Sequence, residues 1–297
     1  MKQKLILLAL SGALAASTAQ AQNGSGFYRP LTLAPVDATA SGGGAEEDEN
    51  DPAELAKKLQ NPVAALISVP IQNNWDFGIG PADAMKYTAN IQPVVPLSIS
   101  KDWNLIIRTI MPVIYAEATV DNSAAPSRVS KDHYGLGDIT QSFFFSPKAP
   151  VGGWILAAGP VAYWPTATDS VLGAGKWGAG PTALALRQQD GWTYGVLANH
   201  IWSYAGWGDN NVSATFIQPF VSFTTKKYTT FGVNTESTYD WETDQWTVPL
   251  NFSVQQLVKI GKQPIAFQLG YRYYAEKPEH GPDWGLRFAV TFLFPKK

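Results

Sequence analysis

The chain has 297 residues, 15% of them charged and 12% aromatic, with no cysteine and a formal net charge of −2. The missing cysteines exclude a disulfide scaffold, a thiolate zinc site and a cysteine nucleophile. The near-balanced charge leaves no basic face for nucleic acid. Charged residues fall well under the roughly 25% of soluble chains, yet the mean hydropathy of −0.10 is too polar for a bundle of membrane helices. Such a combination suits a membrane β-barrel, whose apolar and polar faces average out.

Lys2 and Lys4 precede an apolar run from Leu5 to Ala16, and Ala19-Gln20-Ala21 supplies a small-x-small cleavage site. Together they predict a secretory signal peptide over 1–21, too short to span as an anchor. Its removal takes the formal charge from −2 to −4, since it carries two lysines. Residues 22–50, rich in Gly, Ser, Ala and Pro and ending in Glu46-Glu47-Asp48-Glu49, read as a flexible acidic linker. Residues 51–62 then predict one short helix. Asp51 is placed to cap it, Pro52 takes the first helical position, and Glu54 completes a capping box. Leu55 and Leu59 form a single apolar stripe that needs a partner surface, and Asn61-Pro62 ends the helix.

Residues 63–297 read as an all-β, antiparallel up-and-down transmembrane barrel of about twelve strands. The segments are 63–77, 90–99, 103–116, 136–146, 152–164, 179–188, 192–205, 212–224, 229–241, 246–256, 265–275 and 284–294. Period-two alternation is cleanest in the last. There Trp284, Leu286, Phe288, Val290, Phe292 and Phe294 alternate with Asp283, Gly285, Arg287, Ala289, Thr291 and Leu293. Segment 152–164 is apolar on both faces, which leaves its orientation open. Short turns at Ser100-Lys101-Asp102, Pro147-Lys148-Ala149, Gln189-Asp190-Gly191, Thr225-Lys226-Lys227 and Gly261-Lys262-Gln263 alternate with longer loops near 78–89, 117–135, 165–178, 206–211 and 277–282. The 242–244 connection is a short exception. This is the pattern of outer-membrane barrels, with both termini on the periplasmic, short-turn rim. A secreted β-sandwich also alternates. Against it, all fourteen lysines after the leader fall outside the predicted strands, and aromatic pairs such as Trp192/Tyr194 and Trp202/Tyr204 sit at strand ends, where interfacial girdles belong.

Several motifs carry a family resemblance: Asn90-Ile91-Gln92-Pro93 with Asp102 to Thr109, Gly135-Leu136-Gly137-Asp138, Pro165 to Asp169, Gly175 to Pro181, Trp246 to Leu250, Ile260 to Pro264, and the ending Phe292 to Lys296. Over nearly all of 52–297 the chain resembles bacterial outer-membrane barrels labelled transporter or "neuromedin U", which lie close to the "MetA-pathway of phenol degradation" family. The resemblance implies an outer-membrane barrel with a transport role. Its motifs are turns and strand ends, so it implies no catalytic residue, cofactor or substrate. The chain departs from outer-membrane proteins generally in its tail, where Pro295-Lys296-Lys297 follow the last aromatic, Phe294.

Lipid cannot satisfy polar side chains, so the polar strand faces must point into the lumen. Arg108, Arg272, Arg287, Asp138, Glu236, Asp240 and Glu276 fall on those faces. The three arginines among carboxylates predict either a charge-selecting constriction or an ion-pair network that fills the barrel. Phe144, Phe216 and Phe220 are also expected inside, as an apolar pocket for hydrophobic or aromatic compounds would require. The chain is not expected to be an enzyme: His133, His200 and His280 are its three histidines, and no serine stands in a recognisable setting beside one. No metal or cofactor motif is present. The function these features predict is passive passage of small solutes across the outer membrane. The alternatives are uptake of hydrophobic or aromatic compounds, or a non-transporting structural barrel with a filled lumen. The expected partners are outer-membrane lipid, an unidentified small solute and the outer-membrane assembly machinery.

Overall fold

The computed structural model describes residues 51–117, 120–121, 128–129, 131–207 and 211–295; the predicted leader and the linker up to residue 50 lie outside them. Twelve antiparallel strands close into a barrel, each paired with its neighbours in chain order and the last with the first. They are β1 (Ile67–Ile79), β2 (Ala84–Ile91 and Val94–Ser98), β3 (Trp103–Ala116), β4 (His133–Leu136 and Ile139–Pro147), β5 (Ile155–Trp164) and β6 (Lys176–Gln189). The other half comprises β7 (Trp192–Gly206), β8 (Ser213–Thr224), β9 (Thr229–Thr235 and Ser237–Asp240), β10 (Gln245–Ile260), β11 (Gln263–Glu276) and β12 (Trp284–Phe294). A short ribbon pairs Val120–Asp121 with Arg128–Val129 in the β3–β4 connection.

The period-two reading holds because the two faces meet different solvents. Along β12 the residues Gly285, Arg287, Ala289, Thr291 and Leu293 are buried, and the alternating set from Trp284 to Phe294 is exposed or half-buried. Exposed side chains between the rims on the outer wall are mostly aliphatic or phenyl, including Val221, Val233, Phe252, Leu269 and Leu286, with Tyr271 level with Phe252. Trp103, Trp154 and Trp192 ring the short-turn rim, and Trp177, Trp202, Trp241, Trp246 and Trp284 ring the opposite one. Two aromatic belts around an apolar band define a lipid-facing surface. On β5, Ala157 and Val161 are buried inward and Leu156 points out, which settles the orientation that alternation alone left open. At the Asp190-Gly191 hairpin both residues have positive φ, 51° and 81°, as a two-residue turn of the type that follows sheet twist requires.

Several boundaries differ from the sequence reading, among them the end of β10, which runs on to Ile260. β2 begins at Ala84, so the expected 78–89 loop is a tight connection; β4 begins at His133 and β6 at Lys176. Lys86, Lys176 and Lys259 therefore lie in strands, contrary to the expectation that none would. Lys86 pairs in register with Asp76, whose side chain is buried inward, so it too faces the lumen. Lys86, exposed on the lumenal face, stays in contact with water, whereas Lys176 is buried at the first residue of β6 and Lys259 lies one residue from the end of β10.

The helix α1 (Pro52–Leu59) is capped by Asp51, whose Oδ1 accepts the Ala53 N–H at 3.1 Å. Its partner surface is the inside of the barrel mouth. Leu55, Ala56 and Leu59 pack with Ala64 and Leu66 against the inward side chains of Leu257, Ala266 and Leu293 on β10, β11 and β12. The helix thus fills part of the short-turn end of the lumen.

Candidate functional site

The inner wall has two unlike halves. On the β3–β8 side, Arg108 on β3 and small hydroxyl residues such as Ser142 and Thr182 apart, it is mainly apolar: Ile106, Phe144, Ala157, Leu184, Leu186 and Leu197 are buried together, with Phe216 and Phe220 packed against them. On the β9–β2 side it carries buried polar and charged groups: Asn74, Asp76, Gln92, Asn251, Arg272 and Arg287. The predicted lumenal phenylalanines all belong to the first half.

Two guanidinium–carboxylate pairs organise the polar half. Arg287 on β12 forks onto Glu236, with Nη1 to Oε1 at 2.9 Å and Nη2 to Oε2 at 2.8 Å, and its Nε donates to Asn74 Oδ1 at 2.7 Å. Arg272 on β11 donates through Nη1 to both Asp76 oxygens, at 3.0 and 3.2 Å, and through Nε to Asn251 Oδ1 at 3.2 Å. Tyr274 adds a third hydrogen bond to Asp76 at 3.0 Å, and Arg272 Nη2 lies 3.7 Å from Glu236. Planar forks of this kind fix orientation as well as charge.

Local backbone irregularities place these groups. The register sets Pro249 of β10 opposite Glu236. Proline lacks an N–H, so the ladder is interrupted where Glu236 divides β9. Likewise Pro93 divides β2, and Gln92 turns inward, its N–H reaching Pro70 O at 2.8 Å. Gln92 Oε1 then accepts from Arg108 Nη2 at 2.9 Å. Among the described residues no carboxylate stands within ion-pair distance of Arg108.

Between this belt and α1 lies a cavity of about 250 Å³. Arg108 and Lys58 line it, and no aspartate or glutamate does. Arg108, Arg272, Arg287 and Glu236, predicted from the polar faces, all converge on the belt. Asp76, Asn74, Asn251 and Gln92 complete it and were missed. The first three sat on polar alternating faces, but nothing in the sequence said which strands would become neighbours across the closing seam.

Asp138 and Glu276 stand elsewhere. Glu276 is exposed at the long-loop rim, where Gln245 Nε2 lies 3.5 Å from it. Asp138 is buried and clamps the 165–175 loop. It accepts from the backbone of Ala167 at 3.0 Å, Ala174 at 2.6 Å and Gly175 at 3.3 Å, and from Tyr163 at 3.0 Å. That loop lies on the inner face of the wall. Gly135, opposite the inward Ile114, has no Cβ, and the space is taken by Thr168 and Leu172. Nearby, the Val171 N–H and the His133 ring hold the Asp169 carboxyl below the usual carboxylate range. Replacing Asp138 by alanine is expected to leave buried N–H groups without an acceptor, at about 1–3 kcal/mol each. Limited proteolysis of the folded barrel would then cut within 165–175 where the wild type resists; equal resistance would refute the clamp.

The histidines form no catalytic array. His133 Nδ1 meets Asp169 at 2.9 Å. His200 Nδ1 lies 2.7 Å from Thr215 Oγ1, but its Nε2 is buried without a partner, so the orienting third group of a hydroxyl–histidine pair is missing. His200 instead packs against Trp202, with ring centroids 4.0 Å apart and planes tilted by 45°.

No family model matches the chain, and no curated protein does. Solved structures do. The COG4313 outer membrane channel from Pseudomonas putida F1 superposes with a TM-score of 0.60 at 14% identity, over 77% of this chain and 96% of that one. The chain has the fold of an outer-membrane β-barrel. More distant likenesses include the NanC porin (TM-score 0.49, 10% identity, 77% of this chain and 100% of that one) and the CymD monoaromatic hydrocarbon channel (TM-score 0.40, 8% identity, 80% and 92%).

Proposed function

We propose that this barrel is a channel for small solutes and that its lumen favours anions. The observation that carries the reading is the unbalanced charge below the belt: Arg108 and Lys58 face a cavity lined by no carboxylate. Rings and clusters of one sign select permeant ions in pores. The P. putida barrel of the same fold is itself called a channel. Arg272 and Arg287 are engaged by Asp76 and Glu236, so Arg108 is assigned the largest share of the selectivity and the other two a smaller one. Glu276, exposed at the long-loop rim, adds local negative potential to that entrance.

The test is the reversal potential of single channels in a planar bilayer under a salt gradient. Arg108→Gln is expected to move it towards cation preference, by more than Arg272→Gln or Arg287→Gln does. An unmoved potential would remove selection from Arg108. A second reading, uptake of hydrophobic or aromatic compounds, draws on the apolar β3–β8 half of the wall. A third, a filled structural barrel, draws on α1 in the mouth. A folded but electrically silent barrel would favour these two. No catalytic role is proposed.

A further inference from the structure

We infer that the cavity beneath the charged belt is a binding site for a small amphipathic carboxylate: a single carboxylate headgroup on a short apolar body. The inference rests on the channel reading above and names the class of solute the lumen holds.

The headgroup end is Arg108. A guanidinium presents five N–H donors in a planar fork, and Arg108 uses one of them on Gln92. The other arginines of the belt are paired with carboxylates of this chain, whereas Arg108 has none within ion-pair distance among the described residues and feels Glu236 only from farther off. An unpaired, half-buried guanidinium is costly unless water or an anion meets it, and a planar carboxylate matches its fork better than a spherical ion does. Gln218 and Gln268 also line the cavity, and their side-chain amides make no hydrogen bond among the described residues. They are free to donate to the same headgroup.

The body end is the apolar part of the same lining, with Val94 directly beside Arg108 in register. Val94, Phe220, Leu59 and Leu293 border the same space, contributed by the apolar half of the lumen and by the helix-capped mouth. At about 250 Å³ the cavity is below the 300–1,000 Å³ of sites for drug-sized ligands. A chain of a few carbons or a single ring fits that scale. A purely hydrophobic ligand would leave Arg108 unpaired, and a bare inorganic anion would leave the apolar wall facing water. One molecule with both ends satisfies both.

The experiment is isothermal titration of hexanoate, 1-hexanol and acetate into the folded barrel in lipid nanodiscs, with empty nanodiscs as the blank. Hexanoate is expected to bind at least tenfold more tightly than either control. Arg108→Gln should weaken hexanoate at least tenfold and leave 1-hexanol unchanged. Phe220→Ala should weaken hexanoate and leave acetate unchanged. Equal binding of 1-hexanol would overturn the headgroup assignment, equal binding of acetate would overturn the apolar body, and an unaffected Arg108→Gln would overturn the site. Folding of each variant is verified by heat-modifiable gel mobility. Because binding is read without current, the outcomes separate. Lost hexanoate binding with an unmoved reversal potential keeps this site and retires charge selection; the converse retires the site alone.

Discussion

Glu236→Ala is expected to destabilise the barrel by about 3–5 kcal/mol, the range for breaking one side of a buried ion pair. Glu236 takes both Nη groups of Arg287 and stands 3.7 Å from Arg272. Both arginines are under 10% exposed, so removing the carboxylate leaves two buried positive charges against Asp76 alone. The loss is larger than for an exposed pair, where solvent screens the charges. Glu236→Gln, which keeps an acceptor for Arg287 but not the charge, should fall between alanine and the wild type. Urea unfolding followed by tryptophan fluorescence in liposomes reads the difference; a loss under about 1 kcal/mol for alanine would show that water, not Glu236, solvates Arg287.

The second large effect concerns the helix in the mouth. Removing residues 51–62 from the mature chain is expected to raise single-channel conductance severalfold, because Leu55, Ala56 and Leu59 occupy the lumen against Leu257, Ala266 and Leu293. The deletion also exposes those three wall residues to water, at about 25 cal/mol per Å² of apolar surface, so a drop in stability should accompany it. Leu55→Asp is the companion variant. It keeps the chain length and places a charge among buried aliphatic side chains, which should expel the helix and reproduce the gain. Unchanged conductance in both variants would mean that the constriction lies at the charged belt rather than at α1.

How far the sequence was legible depends on which physical signal each part uses. Strands such as β10, β11 and β12 declare themselves because lipid on one face and lumen on the other enforce a two-residue period. The N-terminal part of β2 did not, because Lys86 and Thr88 on its lumenal face resemble a polar loop. Cap residues gave α1 directly, and its apolar stripe said that it needed a cover but not where. Arg108, Arg272, Arg287 and Glu236 could be read as inward-facing. Their partners could not, since Asp76 meets Arg272 across 196 residues of chain and only closure of the sheet brings them together. Asp138 looked like another lumenal carboxylate; that it would be consumed by three backbone N–H groups depends on a loop conformation that no periodicity encodes.

That closure has a kinetic consequence. Asn74 and Asp76 lie on the first strand, Arg272 and Arg287 on the last two, so these bonds straddle the seam where β1 meets β12. They join the most distant parts of the chain, and contacts of high sequence separation are penalised by loop-closure entropy until late in folding. Bonds absent from the transition state govern the rate of unfolding rather than of folding. The seam network therefore acts as a latch, setting how long a finished barrel stays shut while leaving the speed of its assembly largely to the hairpins.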